Sequence, residues 1–321
     1  MEPIALGPNL PATFYRGSGQ LARFRGRDMA ARPEDWIASV TTRFGSDSAG
    51  RSVLPDGSLL ADAIAAEPIG WLGAEHVARH GADPALLVKL LDPGQRLPVH
   101  VHPDRAFARS HLASGYGKSE AWIVLEAAPD AAVYVGFQRD VDAEELARWV
   151  STQDVAALLG TTNRVPVAAG DAIFCPAGLP HAIGSDILLV ELQEPTDFSV
   201  LLEWEGLPLE PADALLGLSF DAALACVDRR ACDPAALRGG GDSRSLLPAE
   251  SRLFFVAERL AAGLLDPGFS VLVISGGRGT LAGEWGEFAV ARGDTVLVPF
   301  AAGACRLTGD AMGVRCRPAP V

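Results

Sequence analysis

An eight-residue unit that occurs twice in this chain limits the folds open to it. Each copy is a Gly-Asp pair, a four-residue and largely apolar run, and a proline with one following residue, at 170–177 and again at 293–300. Short apolar runs bounded by Gly, Asp and Pro are typical of buried β-strands. Since both copies lie in regions rich in such runs, the repeat predicts two β units of one design. The expected fold is therefore all-β dominated: two β-sandwich or jelly-roll barrels, the N-terminal one carrying helices.

Turn residues and apolar periodicity divide the chain further. Strands are predicted at 85–91, 98–103, 121–126, 132–137, 164–167, 172–175, 187–193 and several times within 252–318. Helices are predicted at 58–80, 142–159 and 222–237, with one helical turn at 33–36. A break near Gly206-Leu207-Pro208 separates two expected domains, residues 1–205 and residues 206–321.

Charge and cysteine usage exclude several classes of protein. The formal net charge is −13, so the surface has no general attraction for nucleic acid or anionic membranes. No apolar run reaches the roughly 18 residues of a membrane span, and the first residues lack the regions of a signal peptide. Five cysteines without CxxC spacing indicate reduced thiols. We therefore expect a cytoplasmic protein, monomeric or homodimeric, that binds a small molecule and neither nucleic acid nor membrane.

Three of the six histidines fall into a pattern that predicts a metal site. His100 and His102 lie two residues apart on a predicted strand, so both side chains point to one face. Glu120 begins the next predicted strand, and His181 follows the strand of the first repeat unit. Three imidazoles and one carboxylate would leave a position of a divalent metal open, as in catalytic sites. The other three histidines, His76, His80 and His111, are expected to be exposed polar residues on helix or loop.

Several motifs together carry a resemblance to a known family. They are Leu86–Asp92, Val101–Asp104, Gly117–Trp122, 170–184, Glu191–Gln193 and Glu203-Trp204. In these motifs the chain resembles the class I, zinc-dependent mannose-6-phosphate isomerases of the RmlC-like cupin superfamily, in their short bacterial form. The resemblance implies a bicupin fold in which residues 1–205 bind the metal. Ala304 stands where the second repeat would place the counterpart of His181, so the C-terminal cupin is expected to lack metal ligands.

The resemblance also implies roles for individual residues. The family's metal ligands fall on His100, His102, Glu120 and His181, and Lys118 matches a lysine of the family's active site. Zinc is the metal that the family implies, although imidazole ligands also suit Mn, Fe, Co or Ni. The chain departs from the family in two places besides His100, where relatives have glutamine. Val200 stands at the expected place of an active-site arginine, and Arg16-Gly17-Ser18 replaces an early Trp-Gly-Gly.

The function implied is a metal-dependent aldose–ketose isomerase that converts mannose 6-phosphate to fructose 6-phosphate through an enediol or enediolate. Lys118 would stabilise developing negative charge as a catalytic residue. Arg16, Asp104 and Arg105 are the candidate substrate-binding residues, with Arg109 as a further cation and Asp104 also a candidate base. Two alternatives stay open. One is an isomerase or epimerase of a different sugar, or a cupin oxygenase; the other is a non-catalytic sugar-binding cupin.

Overall fold

The computed structural model describes residues 1–27, 29, 32–239 and 244–321. In this part of the chain the strands form four antiparallel sheets. The strands before residue 206 are β1 (Ile4–Ala5), β2 (Glu34–Ile37), β3 (Leu87–Leu91), β4 (His100–Val101), β5 (Glu120–Ala127), β6 (Ala132–Phe137), β7 (Thr162–Pro166), β8 (Ala172–Cys175), β9 (His181–Ile183), β10 (Ile187–Gln193) and β11 (Val200–Leu201). The later strands are β12 (Phe255–Leu260), β13 (Gly263–Leu265), β14 (Ser270–Gly276), β15 (Arg278–Gly283), β16 (Gly286–Ala291), β17 (Thr295–Val298), β18 (Cys305–Gly309) and β19 (Met312–Pro318).

Helices are short and lie mostly in the first half. They are α1 (Gln20–Arg25), α2 (Leu60–Ala66), α3 (Pro68–Leu72), α4 (Ala74–His80), α5 (Arg105–His111), α6 (Ala143–Ser151), α7 (Val155–Thr161), α8 (Pro211–Ala214) and α9 (Phe220–Leu224). Single 3-10 turns lie at Pro234–Leu237, Ala249–Leu253 and Phe300–Ala302. Among the described residues, no helix combines the length and the apolar character needed to cross a membrane.

Two five-stranded sheets build the first half. Their strand orders are β2-β3-β10-β5-β8 and β11-β4-β9-β6-β7. Alternate side chains from both sheets meet in one apolar cluster, which includes Trp122 and Leu189 from the first sheet and Val133 and Ile183 from the second. The two sheets therefore enclose a shared interior, as the period-two pattern of the strands requires.

The second half repeats this arrangement with orders β1-β17-β14-β19-β12 and β13-β18-β15-β16. Its interior contains Leu272 and Val296 from one sheet and Leu281 and Leu307 from the other. The strand β1 comes from the start of the chain, where Ile4 pairs with Leu297. The predicted boundary at 205/206 stays a prediction, but this strand ties the first residues to the later sheet.

A third apolar cluster joins the halves. Val88 and Val190, on the outer face of the first sheet, belong to the same cluster as Val271 and Val314 of the later half. Every residue of β10 is buried, because one face of this strand lies in the first barrel and the other faces the second half. Burial on both faces explains why its sequence is a nearly continuous apolar run.

The repeat detected in the sequence has one local structure in both copies. Gly170 and Gly293 have positive φ values of 95° and 92°, which glycine adopts without strain. The Asp171 carboxylate accepts a hydrogen bond from the backbone N–H of Ala168, and the Asp294 carboxylate accepts one from Ala291, each at 2.8 Å. The turn is thus fixed in the same way before β8 and before β17.

Three helix predictions are wrong in detail. Residues 33–36 begin strand β2 instead of a helical turn, because Trp36 pairs with Lys89 of β3. The helix predicted at 142–159 is divided into α6 and α7, since Gln153 adopts a φ of 50° and Asp154 caps a new helix. The helix predicted at 222–237 ends at Leu224, and helical geometry returns only at Pro234.

Candidate metal centre

Strand pairing brings the three predicted histidines together. His100 of β4 lies directly opposite His181 of β9, and His102 follows on the same face of the chain. Their ring centroids lie 4.1 to 4.9 Å apart. All three side chains are buried, so the cluster lies inside the first barrel.

Backbone carbonyls fix the tautomer of each ring. The Nδ1 atoms of His100, His102 and His181 lie 2.7 to 2.8 Å from carbonyl oxygens of other residues. A carbonyl can only accept, so each Nδ1 carries a hydrogen, and in the neutral ring Nε2 then presents a lone pair. Burial, reinforced by the neighbouring cationic groups, lowers the pKa of His100 well below its ordinary value and that of His102 to about 3. Neutral imidazoles oriented by backbone acceptors are the form in which histidine binds metals.

Glu120 places its carboxylate against these nitrogens. Oε2 lies 2.9 Å from His102 Nε2, and Oε1 lies 3.3 Å from His181 Nε2. Trp122 Nε1 donates a hydrogen bond of 2.9 Å to Oε1. Burial raises the pKa of Glu120, but the positive charge of Lys118 and the adjacent imidazoles outweigh it and hold this pKa well below its ordinary value. The group is therefore an ionised carboxylate.

These donors fit a divalent cation. His181 Nε2 is buried and has no hydrogen-bond partner among the described residues, while Glu120 Oε2 pairs with the Lys118 ammonium at 3.0 Å. Both atoms only accept, so they cannot satisfy one another. The ligand nitrogens of His100, His102 and His181 lie within 4.8 Å of one another, and ligand atoms of Glu120, Cys175 and His181 form a second group of the same span. This buried set of His, Glu and Cys side chains could hold a metal.

Lys118 lies beside the cluster, where the sequence predicts a catalytic lysine. Its Nζ is 2.9 Å from His102 Nε2 and 3.0 Å from Glu120 Oε2. The side chain is buried, and it reaches the wall of a cavity of about 550 Å³ that His100 also lines. Of the candidate ligands, His100 thus lines the described cavity together with the lysine, and His102, Glu120 and His181 lie behind them.

The same cavity contains a second polar cluster that the sequence analysis missed. Lys89 Nζ lies 3.5 Å from Glu191, 3.7 Å from Glu34 and 3.8 Å from Asp197, and 4.4 Å from the ring of Trp36. The sequence held a signal for it, since Lys89 and Glu191 are single charged residues inside the apolar runs of β3 and β10. These residues lie opposite each other in the sheet.

Glu191 differs from the other carboxylates of this cluster. Burial and the negative charge of Glu120 raise the pKa of Glu191 to about 7, against the opposing charge of Lys89. For Glu34, burial also raises the pKa, but Lys89 and hydrogen bonds from Tyr15 and Trp36 outweigh it and leave this pKa below its ordinary value. A buried carboxyl group with a pKa near 7 is suited to proton transfer at neutral pH.

The predicted substrate-binding residues lie elsewhere. Arg16 is exposed, and Asp104 caps helix α5 by accepting a 2.7 Å hydrogen bond from the N–H of Phe107. Arg105 bonds to the buried carboxylate of Glu194, and Arg109 is exposed on the same helix. None of the four belongs to the described lining of the cavity.

Two other residues singled out by the sequence have structural roles. Val200 is fully buried in an apolar cluster, while its neighbours Ser199 and Leu201 line the cavity. The prediction that His76 is exposed is wrong: the ring is buried, its Nε2 lies 2.8 Å from the carbonyl oxygen of Asp83, and it packs on His80.

The fold and the donor set define a cupin-like β protein with a centre that could hold a metal. No protein-family profile matches the chain. Over 134 residues it is 37% identical to a mannose-6-phosphate isomerase of Streptococcus mutans serotype c, a match that covers 40% of this chain and 41% of that one. Over 112 residues it is 37% identical to a mannose-6-phosphate isomerase of Bacillus subtilis, covering 35% and 34% of the two chains. The matched segments span about two-fifths or less of these relatives.

The fold, by contrast, is similar to that of solved structures along the whole length of this chain. The crystal structure of the mannose 6-phosphate isomerase from Bacillus subtilis has a TM-score of 0.79 at 21% identity and covers 99% of this chain and 100% of that one. A phosphomannose isomerase variant from Salmonella typhimurium has a TM-score of 0.77 at 15% identity, covering 100% of both. Over the matched segment the chain is thus similar in sequence to mannose-6-phosphate isomerases, in agreement with the resemblance described above, and along its whole length it shares their fold.

Proposed function

We propose that this protein is a metal-dependent aldose–ketose isomerase of a sugar phosphate, interconverting mannose 6-phosphate and fructose 6-phosphate. One observation carries the proposal: oriented histidine nitrogens and an ionised glutamate surround Lys118, which together with His100 lines a cavity that Glu191 also lines. The names of the relatives over the matched segment agree with this activity.

His100, His102, Glu120 and His181 would hold the metal, which we propose to be zinc. Bound there, a divalent cation supplies Lewis acidity toward the carbonyl and hydroxyl oxygens of the sugar. We further propose that the two halves are paired cupins, 1–205 and 206–321, of which only the first binds metal. The matching turns before β8 and β17 support the pairing. The five free cysteines agree with a cytoplasmic location.

The chain's own residues account for the proton transfer. Isomerisation moves a proton between C1 and C2 of the sugar through an enediol or enediolate. Glu191 is the proposed base that takes the proton from one carbon and returns it to the other, because it is a buried cavity carboxyl group with a pKa of about 7. Lys118 donates to the oxygen on which negative charge develops. Lys89 orients Glu191 from 3.5 Å.

Arg43 is the proposed contact for the phosphate. It lines the cavity together with Gly45 and Ser46 of the same loop. Arg43 bonds through Nη1 to the backbone carbonyl of Ala12, a neutral partner, whereas Lys89 is paired with three carboxylates and Lys118 with Glu120. Arg43 therefore takes the role that the sequence analysis gave to Arg16 and Arg105.

An assay of the zinc-loaded protein tests the function. We expect turnover of mannose 6-phosphate, loss of turnover after chelation and recovery when metal is restored. Lys118→Met should lower kcat by about 10²-fold or more while the protein still binds metal. Failure of mannose 6-phosphate to react with Zn, Mn, Co or Ni bound would contradict the proposal.

A second candidate is isomerisation of an unphosphorylated sugar. The described lining of the cavity has four carboxylates, Glu34, Glu191, Asp197 and Asp213, but only three cations, Arg43, Lys89 and Lys118. A lining with this balance does not by itself favour a dianionic phosphate. Comparison of kcat/KM for mannose and mannose 6-phosphate separates the two, and Arg43→Ala should reduce the value only for the phosphorylated sugar if the leading proposal is right.

A further inference from the structure

We propose that Cys175 supplies a sulfur ligand to the metal centre, so that the site has a mixed nitrogen, oxygen and sulfur donor set. The inference rests on the metal site of the proposed function but not on the identity of the substrate. None of the five cysteines has the spacing of a zinc motif, so the sequence alone predicts reduced thiols and no sulfur ligand.

Sheet register places the thiol at the centre. Cys175 ends β8 directly opposite Glu120 of β5, and directly paired residues of an antiparallel sheet point to the same face. Its sulfur lies within 4.8 Å of both a carboxylate oxygen of Glu120 and a ring nitrogen of His181. A sulfur and a nitrogen bound to one tetrahedral zinc lie roughly 3.5 Å apart. A small side-chain movement therefore brings the thiol into the coordination sphere.

The acceptors around the thiol point to a cation there. His181 Nε2 has no hydrogen-bond partner among the described residues, and its side chain is 1% exposed. Glu120 and Cys175 are equally buried, at 1% each. Lys118 supplies a positive charge to Glu120 from 3.0 Å, so among the described residues of this compact buried donor set it is the His181 nitrogen that is left without a partner.

The other buried cysteines provide a contrast. Cys316 and Cys305 are packed in the apolar clusters of the later half, and neither belongs to a group of candidate ligands in the described part of the chain. Cys175 also has apolar neighbours, Trp122 and Ile173, so a small core residue is the simpler interpretation. Its position within 4.8 Å of a carboxylate oxygen of Glu120 and a ring nitrogen of His181 is what distinguishes it from the other two.

Coordination would exchange a proton for the metal. The S–H bond breaks, a metal–sulfur bond forms and the proton passes to the buffer, with no change of oxidation state. A thiolate favours Zn²⁺, Co²⁺ and Cd²⁺ over Mn²⁺, which prefers oxygen donors. The sulfur would therefore narrow the range of metals that the three histidines and Glu120 accept.

Cobalt titration of the full chain tests the ligand directly. Co²⁺ bound by a thiolate has a sulfur-to-cobalt charge-transfer absorption in the near ultraviolet, which nitrogen and oxygen ligands do not produce. We expect this band for the wild type and for Cys316→Val, an equally buried control, and its loss in Cys175→Val. We also expect Cys175→Val to lower Cd²⁺ affinity by at least about tenfold and to change Mn²⁺ affinity much less.

The outcomes separate this inference from the proposed function. Bound cobalt without the band in the wild type, or a band that persists in Cys175→Val, overturns the sulfur ligand. Failure of the wild type to bind cobalt overturns both proposals. Mannose 6-phosphate turnover is measured on the same samples, and a thiolate band without turnover supports the ligand while contradicting the function. Should the valine variant not fold, Cys175→Ala provides the same comparison.

Discussion

Glu191 is the residue whose protonation most directly affects the proposed reaction. As a base it must be ionised, so kcat should rise with pH up to its pKa and then level off. That pKa is about 7, and a bound metal would lower it by adding positive charge nearby, so the acid limb should lie at or below pH 7. Glu191→Gln should abolish the limb and lower kcat by about 10²- to 10⁴-fold, measured as a pH profile of the metal-loaded enzyme.

The raised pKa of Glu191 also makes the free energy of unfolding depend on pH. Between its ordinary pKa of 4.5 and the folded value of about 7, Glu191 binds a proton more tightly in the folded state. Its contribution to the free energy of unfolding therefore decreases as pH rises through this window, and Glu191→Gln should remove that decrease. Asp213→Asn, an exposed carboxylate of the same cavity, is the control. If the free energy of unfolding of Glu191→Gln changes with pH as it does in the wild type, the raised pKa does not belong to Glu191.

Arg105 is better explained as a positioning residue than as a contact for substrate. It bonds to Glu194, which is 1% exposed and accepts a 3.1 Å hydrogen bond from the N–H of Ser119. Ser119 lies between Lys118 and Glu120 in the chain. The arginine therefore supports the backbone that presents Lys118 and Glu120, the proposed catalytic lysine and one of the proposed metal ligands.

Removal of this support should act on the metal. Arg105→Ala is expected to weaken metal binding by about 10-fold with little change in KM, measured by competition with a chelator. Arg109→Ala, on the exposed face of the same helix, should change neither quantity. A raised KM with unchanged metal affinity would instead support the substrate contact that the sequence predicts.

At the scale of elements, the strands were more predictable than the helices. The runs at β3, β5, β6, β8 and β10 have apolar patterns and turn residues that define them locally. The division between α6 and α7 was missed although the sequence held a signal, because Ser151, Thr152 and Asp154 are weak helix formers and Asp154 is a favoured N-cap residue. Tertiary contacts decide that point: the side chain of Gln153 donates to the carbonyl of Val150 and accepts from the N–H groups of Trp204 and Glu205.

Strand pairing also explains which part of the site the sequence could predict. The resemblance assigns the histidines and Glu120 as ligands, so their positions were predicted together. Cys175, Lys89 and Glu191 join the site only through register with strands far away in the chain. No spacing rule along one strand reveals such neighbours. The lone charged residues in β3 and β10 were a usable sign of a buried site.

At the scale of the whole molecule, a buried ion pair connects the halves. Arg25 of α1 bonds to Asp35 of β2. Nη1 of Arg25 also donates a hydrogen bond of 2.8 Å to the hydroxyl of Thr295 in β17. Burial raises the pKa of Asp35, and the charge of Arg25 opposes that rise only in part. The pair therefore depends on the contact between the two halves.

Breaking the pair should destabilise the whole protein. Arg25→Ala leaves Asp35 buried without its partner, at a cost of about 3–5 kcal/mol, whereas the double change Arg25→Met with Asp35→Leu should cost less. Urea unfolding followed by fluorescence measures both. Arg23→Ala, an exposed arginine of the same helix, is the control. A loss below about 1 kcal/mol in Arg25→Ala would show that the pair contributes little.

The pairing of β1 with β17 has a consequence for synthesis on the ribosome. Ile4 finds its partner Leu297 only after about 290 further residues have been added. At 5–20 residues per second, that takes roughly 15 to 60 s. During this interval the earliest strand has no edge to join, while the first barrel can already assemble from strands that lie closer together in the chain. Closure of the later sheet by β1 is thus one of the last contacts that a newly made chain can form.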